Sequence, residues 1–158
     1  MANRYEWLVG GSADLQAPNK TKVVNDDGTY SPDNRKGRTI EYGIREFAMS
    51  QVMSGINLHG GLRAFGATFL VFSDYLRPSL RVAALAKIPN IYVLTHDSIY
   101  VGEDGPTHQP IETLAALRSI PNVQVLRPGD AEESQVAWEM AIESKTQPVC
   151  MAFSRQAL

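Results

Sequence analysis

A chain of 158 residues, 44% apolar and 20% charged, suits one soluble globular domain able to bury a core without disulfide or metal staples. A formal net charge of −2 gives no basic field for nucleic acid and no polybasic patch for a membrane surface. No apolar stretch reaches the ~18 residues of a membrane span, and residues 1–7 (MANRYEW) carry no signal-peptide pattern.

In chain order, residues 6–10 (EWLVG) read as a short strand ending at the turn-prone Gly10-Gly11-Ser12. Residues 14–37 are polar, with NDDG, SPDN and RKG clusters, and predict a long exposed loop. In residues 44–58, Ile44, Phe47, Ala48, Val52, Met53 and Ile56 recur at helical spacing, and Gly60-Gly61 stops the helix. Residues 62–69 fit a buried strand. Ser73 or Asp74 is expected to cap a helix reaching about Lys87, with Pro78 in its first turn or kinking it. Residues 90–95 (NIYVLT) form a strand, and residues 111–119 a helix with Pro110 in its opening turn. Residues 123–126 are a short strand. Asp130 and Glu133 make a capping-box pair before a helix to about Ser144, and residues 149–153 close the chain as a strand.

This alternation of strand and helix predicts an α/β fold: a doubly wound, mainly parallel sheet with helices on both faces, in a single domain over residues 1–158. There is no internal repeat and no interior boundary. The stop soon after the last strand suggests an excerpt of a longer polypeptide. The single cysteine, Cys150, lies in the apolar run PVCMAF and reads as a buried inert thiol, which suits a reducing, cytoplasmic setting.

The chemistry concentrates in residues 96–110 (HDSIYVGEDGPTHQP), a loop at the carboxyl end of a parallel strand, where open α/β sheets bind ligands. Long loops of this kind are often functional, although a solvated polar loop fits the composition nearly as well. His96 and His108 with Asp104 between them invite acid/base or oxygen-binding work. Their spacing does not support zinc, and no GxGxxG, Walker or GxSxG motif is present. Glu46, early on its helix, is either a capping or surface acid or a partly buried carboxylate exchanging a proton with a nitrogen base. Phe69, Phe72 and Tyr75 fit core packing or a pocket for a flat ring. Arg155 could clamp a phosphate or lie idle on the surface.

Five segments, GGSADL, EYGIREFAM, GATFLVFSDYLRP, HDSIYVGEDGPTHQPIE and FSRQ, closely resemble transketolase, specifically its central pyrimidine-binding domain, over essentially the whole chain. The resemblance implies a thiamine diphosphate enzyme that moves a two-carbon ketol unit from a ketose phosphate to an aldose phosphate in the pentose phosphate pathway. It implies that Glu46 hydrogen-bonds N1′ of the cofactor's aminopyrimidine and that Phe69, Phe72 and Tyr75 surround that ring. Asp14 would be an acid near the cofactor at a subunit interface. His108 would lie beside the reacting carbon, Asp104 would read the sugar's C2 hydroxyl, and His96 and Arg155 would bind substrate phosphate.

The family's GDG…Asn metal motif is missing, so no metal ligand is assigned here. Magnesium or calcium would be held by a diphosphate-binding domain, supplied by the second subunit of a homodimer. The isolated chain is therefore expected to be a silent half-site. Pro18 stands where the family commonly has a phosphate-binding serine, Phe47 replaces a frequent histidine, and Tyr100 a small residue. Another thiamine diphosphate enzyme, such as a deoxyxylulose-phosphate synthase or a ketoacid dehydrogenase beta subunit, and a non-catalytic dimerisation fragment are the competing readings.

Overall fold

The computed structural model of the protein describes residues 4–23 and 28–157. Six parallel strands form one sheet: β1 (Leu8–Ser12), β2 (Thr39–Glu41), β3 (Arg63–Phe69), β4 (Ile91–Thr95), β5 (Gln124–Leu126) and β6 (Val149–Ala152), in the order β2-β1-β3-β4-β6-β5. Among the described residues five α-helices join them: α1 (Gln16–Asn19), α2 (Glu46–His59), α3 (Ser73–Leu85), α4 (Thr113–Arg118) and α5 (Ala131–Glu143). The doubly wound α/β class is the one the alternation predicts.

Strand alternation sends side chains to two cores. On one face Ala64, Tyr92, Leu94 and Cys150 pack with Met49 and Met53 of α2, Leu76 and Leu80 of α3 and Leu117 of α4. On the other, Phe65, Ala67, Ile91, Val93 and Val149 pack with Ala137, Ala141 and Ile142 of α5 and with Val23. Connections that step one way along the sheet carry α2, α3 and α4 over one face. Those that step back, β1 to β2 and β5 to β6, use the other, as a single crossover handedness requires.

Local contacts fix these layers. A Cβ on Gly66 would lie 2.4 Å from the Met53 sulfur and 2.9 Å from that of Met49, so glycine there lets α2 approach β3. Asn57 accepts from the Ala64 amide (3.0 Å) and donates to Asn90 (2.7 Å), tying α2 to β3 and the start of β4. Arg63 donates to the carbonyls of Ala141 and Ser144, both at 3.0 Å, and closes the carboxyl end of α5.

Several expectations change. The first strand begins two residues later than predicted. The strand β2 went unrecognised: it is a three-residue edge with one buried side chain, too short to show alternation. Within residues 14–37, residues 24–27 lie outside the described residues. The rest is not simply exposed, since it contains α1 and buries Asn19, Thr21 and Val23. Neither Ser73 nor Asp74 caps α3: a 3-10 turn, Leu70–Phe72, runs straight into it, and no side chain serves as cap. Lys87 falls beyond its end, and Pro78 is inside it, past the first turn. Pro110 precedes α4 rather than opening it. At α5 the Asp130 side chain does accept from the Glu133 amide (2.8 Å), but Glu133 returns the bond to Gly129 (2.7 Å), not to Asp130.

Candidate active site

Every candidate residue lies just beyond, or at, the carboxyl end of a strand. Asp14 follows β1, Glu46 follows β2 and opens α2, Phe69 ends β3, His96 follows β4, and Arg155 follows β6. The sheet thus gathers at one edge residues up to 141 positions apart in sequence, here Asp14 and Arg155. The strand order reverses direction between β1 and β3, the switch point where ligands enter such sheets.

Glu46 is 7% exposed, and its carboxylate makes no hydrogen bond or ion pair with any described residue. The carboxylate oxygens themselves are not sealed in, so solvent or a ligand can reach them as hydrogen-bond acceptors. The first turn of α2 favours the negative charge through its dipole.

Aromatic rings line the edge. Phe69 and Phe72 stack nearly parallel, centroids 5.8 Å apart at 11°. Tyr75 leans on Phe72 at 6.0 Å and is exposed. His96 lies against Phe69 at 3.7 Å and 22°, and His108 meets Phe72 edge-on at 5.2 Å. The structure therefore brings Phe69, Phe72, Tyr75, His96 and His108 into one cluster. Asp104 and Arg155 are close enough to His96 to act on its charge. Asp14 stands apart, exposed beside a second hollow lined by Ser12, Lys20 and Glu41.

The loop that carries the histidines is not featureless, because it contains the 3-10 turns Ile99–Val101 and Pro106–His108. It is pinned at its far side: Gln156 donates to the Tyr100 carbonyl (2.6 Å), Gln109 to that of Ile99 (2.9 Å), and Arg155 pairs with Glu103 at 3.3 Å. His96 itself has a left-handed backbone, φ 57°, which disfavours a branched or bulky side chain. Three contacts hold it there: the Phe69 stack, a 2.9 Å bond between Thr95 Oγ1 and its Nδ1, and the ion pair of buried Asp97 with Arg127 (2.7 Å). Burial lowers the pKa of His96. Asp104 opposes that shift, Arg155 and His108 add to it, and Asp97 weakly opposes it.

A cavity of about 640 Å³ opens on the α5 side of the sheet, bordered by residues 18–23 and 153–157. Pro18, Asn19, Lys20, Thr95, Trp138 and Arg155 are among the residues that line it. Pro18 therefore does border the same space as Arg155, as the family pattern implies for the serine it replaces. Sequence reasoning singled out Asp97 within its loop but missed its partner Arg127, and missed Asn19 and Thr95, which no local pattern marks. Among the described residues no group of three or more His, Cys, Asp or Glu side chains could hold a metal ion. Among the same residues no helix is long and apolar enough to cross a membrane.

An unpartnered carboxylate, nearly parallel aromatic rings and two histidines thus stand at the carboxyl edge of a doubly wound α/β domain. Comparison with known proteins sharpens that class. Residues 1–158 match the family described as transketolase, pyrimidine binding domain, and the chain belongs to that family. It is 62% identical to a transketolase of Treponema pallidum over 149 residues, covering 94% of this chain and 22% of that protein. It is 57% identical to the transketolase of Halalkalibacterium halodurans, covering 99% of this chain and 23% of the relative. A crystal structure of transketolase from Pichia stipitis in complex with sedoheptulose-7-phosphate superposes with a TM-score of 0.95 at 44% identity, over 99% of this chain and 24% of that one. A structure described as a split gene transketolase, inactive beta4 tetramer, aligns over 99% of this chain and 48% of its own with a TM-score of 0.75 at 26% identity. The chain thus spans about a quarter of the curated relatives it matches.

Proposed function

We propose that the chain supplies the pyrimidine-binding half of a transketolase active site, in a protein that transfers a two-carbon ketol unit between sugar phosphates in the pentose phosphate pathway. The observation that carries this reading is Glu46, buried and without a partner at the start of α2. A carboxylate so placed, in a domain whose Phe69 and Phe72 rings stack at the same sheet edge, fits an aminopyrimidine: it would exchange a proton with N1′ while the aromatic faces hold the ring plane. Thiamine diphosphate, when bound, supplies a carbon nucleophile that the protein's own side chains lack. Phe69, Phe72 and Tyr75 would hold its ring, with Asp14 near it at a subunit boundary.

His108, edge-on to Phe72, would contact the reacting carbon's oxygens, and Asp104 the donor's C2 hydroxyl. His96 and Arg155 would bind the phosphate end. With Pro18 lacking both a hydroxyl and a backbone N–H, Arg155 would carry more of that anion. The diphosphate and its magnesium or calcium would be held by a diphosphate-binding domain of a second subunit in a homodimer. The exposed apolar side chains of α2, Phe47, Val52 and Leu58, with Ile44 just before it, suit such a contact. A cytoplasmic setting accords with the buried free thiol of Cys150.

The 158-residue chain alone should be silent. The inactive tetramer formed by the split transketolase accords with that expectation. The test is an assay with xylulose and ribose phosphates plus thiamine diphosphate and magnesium, with pyruvate as a competing donor. Ketol transfer by the full-length protein and none by the isolated chain supports the proposal. Turnover by the isolated chain, or preference for pyruvate, overturns it.

A further inference from the structure

A directed chain of hydrogen bonds ends at His96. It starts at the Ala67 carbonyl, which can only accept: it takes the Ala13 amide (2.9 Å) and the Ser12 hydroxyl (3.1 Å). With its one proton spent there, Ser12 Oγ accepts from the Leu15 amide (3.1 Å) and from the Asn19 side-chain NH₂ (2.9 Å). That fixes the Asn19 amide with its Oδ1 toward Thr95, whose hydroxyl donates to it at 2.5 Å. Thr95 Oγ1 then has no proton left for His96, 2.9 Å away, so the histidine's Nδ1 must be the donor in that bond. The opposite polarity would set the Ser12 oxygen and the Ala67 oxygen lone pair to lone pair. Ser12, Asn19, Thr95 and His96 are all at least nine-tenths buried, so water cannot easily reverse the order.

We infer that Thr95, aligned by Asn19, is a positioning residue that holds His96 as its Nδ1–H tautomer and leaves Nε2 as a hydrogen-bond acceptor toward the ligand. Nε2 has no hydrogen-bond partner among the described residues, and stacking on Phe69 keeps the ring from turning. The consequence for the ligand rests on the function proposed above. Neutral His96 accepts a hydrogen bond at Nε2 from a sugar hydroxyl next to the phosphate, while Arg155 holds the phosphate itself. His96 can donate to a phosphate oxygen only after gaining a proton at Nε2. The charged groups around it divide: Asp97, paired with Arg127, and Asp104 favour that proton, whereas Arg155 and His108 oppose it together with burial. Phosphate binding is therefore coupled to proton uptake, and affinity falls as pH rises above the pKa of His96.

The test is nitrogen-15 NMR of the ring nitrogens in the histidine-labelled chain, which has three histidines. His96 should show a protonated Nδ1 and a bare Nε2 at pH 8. Thr95→Val, close in shape but without the hydroxyl, should release it toward the Nε2–H form that free imidazole favours. Asn19→Ala should do the same by freeing the Thr95 proton, and Thr95→Ser should keep the wild-type pattern. With inorganic phosphate as probe at pH 8, Thr95→Val should bind roughly 2- to 10-fold more tightly than wild type, the worth of one gained hydrogen bond, and with a shallower pH dependence. An Nε2–H tautomer in the wild-type chain overturns the inference, and so does a tautomer indifferent to Thr95→Val. The tautomer needs no turnover to be read: if it stands while sugar phosphates fail as substrates, the proposed function falls and this inference does not.

Discussion

Two polar networks flank β4, one on each face, and they differ in how they end. On the α2 side, Ser50, Ser54, Ser79, Asn90 and Tyr92 are buried and satisfy one another: Ser50 with Tyr92 at 2.6 Å, Ser79 to Ser50 at 2.7 Å, Asn90 to Ser54 at 2.9 Å and to Tyr92 at 3.0 Å. On the other side, Ser12, Asn19, Thr95 and His96 form a line that stops at an open ring nitrogen. A closed network fixes how α2, α3 and β4 pack, and a buried group within it has nothing left to offer a ligand. An open one delivers an oriented donor or acceptor to the sheet edge. The same contrast separates Glu46 from Asp97: both are buried acids near strand ends, but Asp97 is matched by Arg127 and Glu46 by no described residue.

The contrast can be broken from either side. The largest expected effect short of removing Glu46 is at the ring cluster. In the full-length protein, Phe72→Ala should weaken thiamine diphosphate binding by about tenfold to a hundredfold, in line with the loss of one buried aromatic side chain. Calorimetric titration reads it, and the melting temperature without cofactor should change little because Phe72 is only half-buried. The closed network should respond in the opposite way. Tyr92→Phe strands Ser50 and Asn90 and should cost about 1–3 kcal/mol in denaturant unfolding, with specific activity of the folded protein unchanged. Smallest of all is Glu103→Gln. Its pair with Arg155 is exposed and 3.3 Å long, so stability should move by less than about 0.5 kcal/mol. Any larger effect should appear in KM for phosphorylated substrate, since Glu103 occupies the guanidinium proposed to bind the phosphate.

How much of this was legible in the sequence follows from the range of the interactions. The α2 helix reads from its own apolar spacing, β4 from a five-residue buried run, and the histidine loop from its composition, all local signals. The edge strand β2 does not, because three residues cannot display a period. The start of α3 was misread because a 3-10 turn replaced the side-chain cap that Ser73 and Asp74 suggested. Glu46, Phe69, Phe72 and the two histidines stood out through residue type and family resemblance. Asn19 and Thr95 did not, since their bond spans 76 positions; Asp97 stood out in its loop, but not its partner Arg127, 30 positions on. The candidate residues themselves are written in motifs, and what orients them is written in the fold.

The central claim is that Glu46 is the proton partner of the bound pyrimidine. The direct measurement is the rate of deuterium exchange at C2 of thiamine diphosphate held by the full-length protein, wild type against Glu46→Gln. The account predicts at least a hundredfold slower exchange in the variant with the cofactor still bound, the scale of a lost acid–base group. Unchanged exchange at full occupancy would contradict it.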